Sequence, residues 1–419
     1  LLAADLSSVA DLGTFDYVIA HGLYSWVPPD VQERILGLAR EVLAPHGVAY
    51  VSYNAYPGNH SRDAVRQMMK FHIRTVEEPA RKIEQARTLI RLLSEAALPH
   101  PVLSAILEET IQSHQNSSDA FLFHDDLADI NESLLFTDFV NRAEAKGLQF
   151  LSEADYPDMV VWSDEPAGRL IEILSGDDIL LQQQYRDFLV FRKFRQTLLC
   201  RDDSVLERPA RPSRLRRLGI AAPTRPESPD PDIASDAPLR FPGPSASGLT
   251  TPHPLSKAAF LVLGEVWPSW LPWENLLALA SGRLSAAGGP RVGTEDEDRL
   301  LKFILEAAAV SIAEVHAGPP PFVTELSDRP RVSALARRET AAGTPLTSLK
   351  HDCIVLEDDL VRHLAGLLDG TRDRAAIEEE MGRFIRDKGG PGGDALLAAL
   401  PEAIERNLDR VVKLALLEA

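Results

Sequence analysis

Two short apolar segments near the start of the chain each end in a cluster of aromatic and polar residues. The first covers residues 15–27 (FDYVIAHGLYSWV) and the second covers residues 47–58 (GVAYVSYNAYPG). A helical pattern of about 10–15 residues separates them, which is typical of a strand–helix–strand unit in a parallel sheet. Ligands of such sheets bind outside the carboxyl ends of the strands. The sequence therefore predicts an α/β fold with a binding site at these two strand ends.

These two segments, together with Asp5 and Leu6, resemble the second half of the sheet in class I S-adenosylmethionine-dependent methyltransferases. They are most similar to the bacterial group that carries a methyltransferase regulatory domain and includes rickettsial-type protein-lysine methyltransferases. Residues 148–155, 184–201 and 256–419 show the same resemblance, so it covers most of the chain. It implies S-adenosyl-L-methionine as the cofactor and a protein side chain such as lysine as the methyl acceptor.

One part of the family pattern is absent from this sequence. In the family, a Gly-rich turn after the first strand holds the methionine part of the cofactor, and here no stretch of the GxGxxG kind opens a helix. The chain begins at Leu1, and the resemblance implies a beginning in the middle of the fold, with the first half of the sheet upstream. We therefore expect a fragment that is inactive alone and binds the cofactor poorly. The alternative interpretation is a non-catalytic binding or regulatory protein built on a decayed methyltransferase fold.

The resemblance implies a cofactor site at the ends of two strands. Residues 1–4 resemble the third strand of the family, after which an acidic residue accepts a hydrogen bond from the adenine amino group. This role is implied for Asp5, with Leu6 beside it. His21 and Gly22 follow the fourth strand, where a glycine permits close approach of a ligand to the backbone. The structural alternatives are a helix N-cap or turn residue for Asp5 and a hydrogen-bonded structural residue for His21.

The same two loops are expected to surround the transferred methyl group. His21 is suited to remove a proton from an amine, and Tyr24 and Tyr53 place phenols beside it, so these three residues are the predicted catalytic set. Aromatic side chains also stabilise a cationic amine or sulfonium by cation–π attraction. Packing in the core is the alternative role of the aromatic residues. The predicted substrate-binding residues are Ser25, Trp26, Asn54 and Tyr56.

Composition and periodicity divide the chain into four parts. Helical periodicity after the sheet predicts a helical insert, and residues 148–154 and 196–201 have the pattern of strands. Class I methyltransferases end in an antiparallel pair of strands at the sheet edge, so the resemblance implies that these two segments are that pair. A stretch rich in proline follows and predicts a linker or a poorly ordered strap. The final part is mostly helical and winged-helix-like. The predicted parts are a half sheet of Rossmann-like type (1–60), an insert with the regulatory region (61–202), a linker (203–255) and a C-terminal domain (256–419).

Charge and composition limit the classes of molecule that the chain is expected to bind. The formal net charge of −18 argues against nucleic acid, so the winged-helix-like domain is expected to bind protein. No apolar run reaches the roughly 18 residues that a membrane span requires. Cys200 and Cys353 are predicted to be reduced core thiols, as in a cytoplasmic protein. The run 124–126 (HDD) lacks further regularly spaced ligands, so no metal is expected. A protein substrate and a homodimer are the predicted partners.

Overall fold

The chain forms two compact units, Leu1–Pro209 and Ala210–Ala419. Residues 1–4, which were interpreted as the remnant of a strand, lie half outside the described part of the chain, and residues 3–4 are not in a strand. The computed structural model describes residues 3–9, 11–96, 100–114, 118–160, 166–208, 210–228, 230–243, 248–343, 345–389 and 393–418.

The first unit is built on a mixed sheet that begins with the predicted strand–helix–strand unit. Strand β1 (Phe15–Ala20) lies parallel to strand β2 (Leu43–Ala55), with Val18 opposite Ala49. Helix α1 (Pro29–Val42) connects them and begins at its proline, whose fixed φ suits the first helical turn. Because the two strands are parallel, their carboxyl ends lie at the same edge of the sheet.

Three further strands complete this sheet. The short strand β3 (Ser133–Leu134) pairs in parallel with the end of β2, on the side away from β5. Strand β4 (Leu148–Glu153) is antiparallel to β5 (Phe194–Arg201), which is antiparallel to β2. The resulting order is β1-β2-β5-β4. The last two strands have the antiparallel arrangement that the sequence predicts, so the region around them belongs to the same sheet as the strand ends of β1 and β2.

A helical insert connects β2 to β3, as the sequence predicts. It has an apolar core of its own, in which Val65, Ile90 and Leu122 are buried. Its final segment, Leu122–Asp126, is a π-helix closed by the hydrogen bond from the Leu127 N–H to the Leu122 carbonyl. Such wide turns are frequent at functional sites. The helices of this unit after α1 are α2 (Asn59–His72), α3 (Pro79–Glu95), α4 (Pro101–His114), α5 (Asp119–Phe121), α6 (Phe136–Glu144), α7 (Pro166–Ser175) and α8 (Ile179–Val190).

The second unit begins with a helical module joined by short strands. Periodicity alone predicts one helix over 257–280, whereas the structure contains two helices separated by a turn. Pro268 and Pro272 lie in that turn, and each removes a backbone donor that a continuous helix would need. The elements are β6 (Gly219–Ala221), β7 (Leu239–Pro242), β8 (Gly248–Thr251), α9 (Pro254–Val266), β9 (Leu271–Pro272), α10 (Trp273–Ala286), α11 (Thr294–Ala309) and β10 (Glu314–His316).

The end of the second unit is a small helical domain with a two-stranded sheet, in agreement with the predicted winged-helix character. Its core contains Val332, Leu364 and Leu408, all fully buried. The elements are α12 (Ala334–Ala342), β11 (Leu346–Thr347), β12 (Cys353–Ile354), α13 (Asp359–Leu367), α14 (Arg374–Lys388), α15 (Gly393–Ala398) and α16 (Leu400–Lys413).

The proline-rich stretch 203–255, which the sequence predicts to be a linker or a poorly ordered strap, is largely folded in the structure. From Ala210 onwards it packs into the second unit, where Leu215, Ile220 and Phe241 are buried in one apolar cluster. These apolar residues are spaced too widely to produce a helical or strand periodicity. Each nevertheless contributes a side chain to the core, so the stretch is a folded strap and not a free linker.

Two further sequence expectations concern the cysteines and the membrane. Both cysteines are free, but only Cys200 is buried; Cys353 is exposed in the short strand β12. A strand of two residues places little of its side-chain surface against a core, which accounts for this difference. Among the described residues, no helix combines the length and the apolar character needed to cross a membrane.

Candidate functional site

A cavity of about 340 Å³ lies at the carboxyl ends of β1 and β2, where the sequence predicts a binding site. The loops after these two strands form one side of it. The helical insert and the start of β5 form the other side. Four predicted site residues are brought together here with six others. The cavity is lined by His21, Gly22, Trp26, Asn54, Asn59, Arg62, Phe121, Asp125, Lys193 and Phe194.

The turn after β1 is held to the sheet by two hydroxyl groups of β2. The His21 Nδ1 lies 3.0 Å from the Tyr50 hydroxyl and 3.3 Å from the Ser52 hydroxyl. The Gly22 N–H donates to the Ser52 hydroxyl at 2.9 Å. Gly22 has a φ of 63°, a conformation that favours glycine over other residues. The turn therefore keeps His21 and the backbone of Gly22 exposed beside the cavity.

Trp26 ends a short 3₁₀ helix, Tyr24–Trp26, and contributes an aromatic wall. Its indole N–H is buried and has no hydrogen-bond partner in the described part of the chain. The Nη2 of Arg62, in another wall of the cavity, is buried without a partner in the same way. Buried donors normally have partners, and leaving one unpaired costs about 1–3 kcal/mol. Both walls of the cavity thus contain a buried donor that has no partner among the described residues.

Asn54 connects the end of β2 to the helical insert. Its backbone N–H is bound by the Ser25 hydroxyl at 2.8 Å, and its side-chain amide donates to the Asn131 carbonyl oxygen at 2.8 Å. The amide of Asn131 in turn donates to the backbone carbonyl of Asp125 at 3.0 Å. This chain of hydrogen bonds fixes the π-helical turn relative to the sheet.

The insert and β5 bring charged groups to the cavity. Arg62 donates through Nε to the fully buried Asp126 carboxylate at 2.7 Å, and Lys193 forms an ion pair with Glu109. Asp125 is half buried, and burial raises the pKa of its carboxyl group above the usual value. Among the described residues its carboxylate forms no hydrogen bond and no ion pair. The two basic groups therefore have acidic partners in direct contact, whereas Asp125 has no such partner among the described residues and is attracted by Arg62 only at longer range.

Tyr24 and Tyr53, which were predicted to be catalytic, lie in the core of the first unit and not in the cavity wall. Both are fully buried, and the Tyr53 ring stacks on Phe139 with a distance of 4.1 Å between centroids. The Tyr53 hydroxyl lies 3.2 Å from the Thr197 hydroxyl. Burial raises the pKa of the Tyr24 phenol to about 12 and that of Tyr53 well above its usual value. Such phenols are packing residues that remain protonated at neutral pH.

Two predicted substrate-binding residues also lie outside the cavity. Ser25 is fully buried and its hydroxyl supports the backbone of Asn54. Tyr56 is partly exposed on a neighbouring surface, where its ring meets His60 edge-on at 4.9 Å and Phe188 at 6.4 Å.

The predicted adenine-binding pair is found in an exposed turn. The Asp5 carboxylate accepts a hydrogen bond from the Ser7 N–H at 2.9 Å and another from the Ser7 hydroxyl, and the latter lowers the pKa of Asp5. Leu6 packs partly against the core below the sheet, and its carbonyl accepts from Arg34. Neither residue lines the cavity. The turn conformation matches the structural alternative that the sequence left open for Asp5.

Six lining residues were not predicted from the sequence. They come from three separated segments, which only the fold brings together. The run 124–126 was the available signal, because two adjacent carboxylates before an apolar helix are unusual, but it was weighed only as a metal site or a cap. In the described residues no group of His, Cys, Asp and Glu side chains is arranged to hold a metal ion. The residues missed are Asn59, Arg62, Phe121, Asp125, Lys193 and Phe194.

Two family models match parts of the chain. The model of a predicted methyltransferase regulatory domain matches residues 118–201, and that of the PKMT C-terminal winged helix domain matches residues 328–416. The first match includes β4, β5 and the cavity residues Phe121, Asp125 and Lys193. The regulatory domain is therefore part of the sheet and of the cavity wall. The second match confirms the predicted winged helix.

Several proteins and structures are similar to the chain. The uncharacterised protein RP789 of Rickettsia prowazekii is 27% identical over 88% of this chain and 66% of its own length. A second uncharacterised protein of that organism, RP028, is 32% identical over 34% of this chain and 60% of its own length. The chain thus spans less than two thirds of the curated relatives it matches.

The solved structure of PKMT2 from Rickettsia typhi matches 98% of this chain and 82% of its own chain, with a TM-score of 0.85 and 23% identity. Its complex with AdoHcy matches with a TM-score of 0.84, 23% identity, and 99% and 83% coverage. This likeness shows the fold, and it extends over both units of the chain. The two domain matches and the shared fold agree with the bacterial methyltransferase group that the sequence resembles.

Proposed function

We propose that the protein containing this chain is an S-adenosylmethionine-dependent methyltransferase that modifies protein side chains, with a lysine amino group as the acceptor. The observation that carries this proposal is the cavity at the carboxyl ends of β1 and β2. This is the position at which open α/β sheets bind ligands. The shared fold adds support, since PKMT2 was solved in complex with AdoHcy.

The residues after β1 fit such a cofactor. Apart from the adjacent residues of the chain, no described atom lies within 4 Å of a Cβ built on Gly22, so open space adjoins its backbone. His21 is exposed beside it. Both bonds from Ser7 go to one oxygen of Asp5, which leaves the other oxygen available to an adenine amino group. We infer that His21, Gly22 and Asp5 contact the cofactor, which would supply a methyl group activated on a sulfonium.

The remaining lining residues would orient the acceptor. Methyl transfer is an in-line displacement and depends on position more than on acid–base groups. Trp26 and Phe194 provide apolar walls that exclude water from the cavity, and Asn54 holds the insert to the sheet. Removal of the amine proton is assigned to His21, the exposed imidazole at this strand end.

The wider setting of the activity is also a proposal. The substrate is taken to be a protein, recruited by the winged helix, and the compartment to be the cytoplasm, since both cysteines are free. A homodimer stays a prediction, which light scattering at several protein concentrations measures directly.

Transfer of a labelled methyl group tests the proposal. The full-length protein is incubated with methyl-labelled S-adenosylmethionine and a bacterial protein extract, and the hydrolysed proteins are analysed for methyl-lysine by mass spectrometry. We expect labelled methyl-lysine with the natural protein and a loss of at least about 10-fold for His21→Ala. The matched control is His46→Ala, because His46 is exposed near the opposite end of β2.

Absence of label in every protein fraction, with AdoHcy still bound by calorimetry, would contradict the methyltransferase proposal. That result would support the non-catalytic binding protein in its place. An equal loss of activity in the two histidine variants would instead show that His21 has no specific role.

A further inference from the structure

We infer that Asp125 binds the ammonium group of the methyl-accepting side chain, in the cavity between Trp26 and Phe194. This inference rests on the proposed function and adds to it a specificity-determining residue. Asp125 lies in the π-helical segment and within the match to the regulatory domain. It follows that the regulatory region would select the acceptor, while the loop after β1 serves the cofactor.

The first support is the missing partner of this carboxylate. Within the part of the chain that the structure describes, the Asp125 side chain has no hydrogen bond and no ion pair, although it is only partly exposed. The adjacent Asp126 is fully buried and is bound by Arg62. A partly desolvated carboxylate without a partner is unfavourable, because the charge has lost some of its hydration. A cation in the cavity would restore the lost interaction.

The second support is the balance of charge around the cavity. Arg62 is paired with Asp126, and Lys193 is paired with Glu109. Each of these pairs is formally neutral, so the Asp125 carboxylate remains as the net charge of the described lining residues and their partners, although Arg62 attracts it at longer range. A neutral or anionic acceptor would leave this charge unmatched, whereas an ammonium group would neutralise it.

The third support is the shape and rigidity of the site. Indole and phenyl rings attract cations through their faces, and Trp26 and Phe194 line the same cavity as Asp125. The backbone of Asp125 is held at 3.0 Å by the amide of Asn131, which is itself bound to Asn54. The carboxylate is therefore presented from a fixed turn. A fixed carboxylate beside aromatic walls suits an alkylammonium group at the end of an apolar chain.

Binding of a small amine tests the inference without any cofactor. n-Butylammonium chloride is titrated into the protein and followed by the NMR signal of the Trp26 indole N–H, which is assigned by its loss in Trp26→Phe. We expect Asp125→Asn to weaken this binding roughly 10-fold or more, because it removes one charge-assisted contact and keeps the side-chain size. Asp129→Asn is the matched control, since its carboxylate is fully exposed in the following loop; it should change the affinity less than 2-fold.

The pH profile separates a direct contact from a structural effect. The carboxylate must be ionised to bind a cation, and burial raises the pKa of Asp125. Affinity for n-butylammonium should therefore decline, as pH falls, at a pH above the ordinary aspartate value of 3.8. This decline should be absent in Asp125→Asn. The other titratable or charged groups around Asp125 are His21, Arg62, His124, Asp126 and Lys193. They are present in both the natural protein and Asp125→Asn, so a pH effect that is lost in the variant comes from Asp125.

The outcomes distinguish this inference from the proposed function. Failure of the natural protein to bind n-butylammonium, or equal binding by Asp125→Asn, would overturn the inference. Methyl transfer to lysine with an unchanged KM in Asp125→Asn would also overturn it, while the methyltransferase function would stand. No methyl transfer by the natural protein, combined with amine binding that Asp125→Asn abolishes, would retain the amine site and reject the function.

Discussion

The side-chain amide of Asn54, at the end of β2, donates a 2.8 Å hydrogen bond to the side-chain carbonyl of Asn131, beyond the helical insert. This bond joins the sheet to the loop that follows the π-helical turn. The other end of the Asn131 side chain holds the carbonyl of Asp125. The Asn131 side chain thus links the π-helical turn directly to the end of β2.

Asn131→Ala should therefore affect the site more than the stability of the fold. Two hydrogen bonds are lost, at a cost of about 1–2 kcal/mol, because Asn131 is only partly buried and water can replace them in part. Affinity of the cavity for n-butylammonium should fall at least about 3-fold, since the turn is no longer fixed. Titration and urea denaturation measure the two effects, and unchanged affinity would show that the turn is held by other contacts.

Tyr53 should behave as a core residue. Tyr53→Ala should lower the free energy of unfolding by roughly 3–5 kcal/mol, since it removes a fully buried ring that stacks on Phe139. Tyr53→Phe should cost about 1 kcal/mol, because only the contact with Thr197 is lost. Methyl transfer per folded molecule should stay within 2-fold in Tyr53→Phe.

Tyr50→Phe is the variant with which the methyl transfer of Tyr53→Phe should be compared. The Tyr50 hydroxyl lies 3.0 Å from His21 and donates to Gln196 at 2.7 Å, so its removal should lower methyl transfer by releasing His21. A large loss of turnover in Tyr53→Phe at unchanged stability would restore the catalytic role that the sequence suggested for Tyr53.

Lys257 should be essential to the strap that crosses the second unit. The residue is fully buried, and its ammonium donates to the carbonyls of Asp232, Ser235 and Ala237 at 2.6–3.0 Å. Lys257→Met retains the apolar length and leaves three carbonyls without their donor, so we expect a loss of roughly 2–4 kcal/mol in denaturant unfolding. Lys302→Met, at an exposed position, should change stability by less than about 0.5 kcal/mol.

Limited proteolysis should cut the chain ahead of that strap. Val205 is 96% exposed, and Glu207 lies in the same irregular stretch before Ala210. Because extended exposed segments fit protease active sites, Glu-C should cleave after Glu207 before it cleaves at Glu227. Mass spectrometry of the first products identifies the site. Early cleavage at Glu227 would indicate that the strap opens in solution.

Local patterns account for what the sequence predicts correctly. The parallel unit of β1, α1 and β2 follows from apolar runs and a proline at the helix start, which act over a few neighbouring residues. The strand pattern of β4 and β5 is also local, whereas their antiparallel pairing was implied by the family resemblance. The winged helix was suggested by a short apolar segment followed by two helices, together with the same resemblance.

The cavity depends on contacts that no local pattern contains. Asp125 and Phe194 are far apart in the chain and meet only after the insert has packed on the sheet. The burial of Tyr24 and Tyr53 depends on contacts with Phe139 of α6. In the sequence, the whole helical insert separates Phe139 from both tyrosines. The packing of the strap into the second unit was not predicted for a related reason. Leu215, Ile220 and Phe241 are widely spaced in the sequence, so they produce no periodic apolar pattern, although all three are buried in the same core.

The π-helical turn spanning Leu122–Asp126 has one residue more per hydrogen-bonded ring than an α-helix. Removing a residue from this ring would rotate the Asp125 side chain away from the cavity, without disturbing β1 or β2. A single deletion or insertion here would therefore change the proposed acceptor site, while the strand ends of the proposed cofactor site would keep their structure.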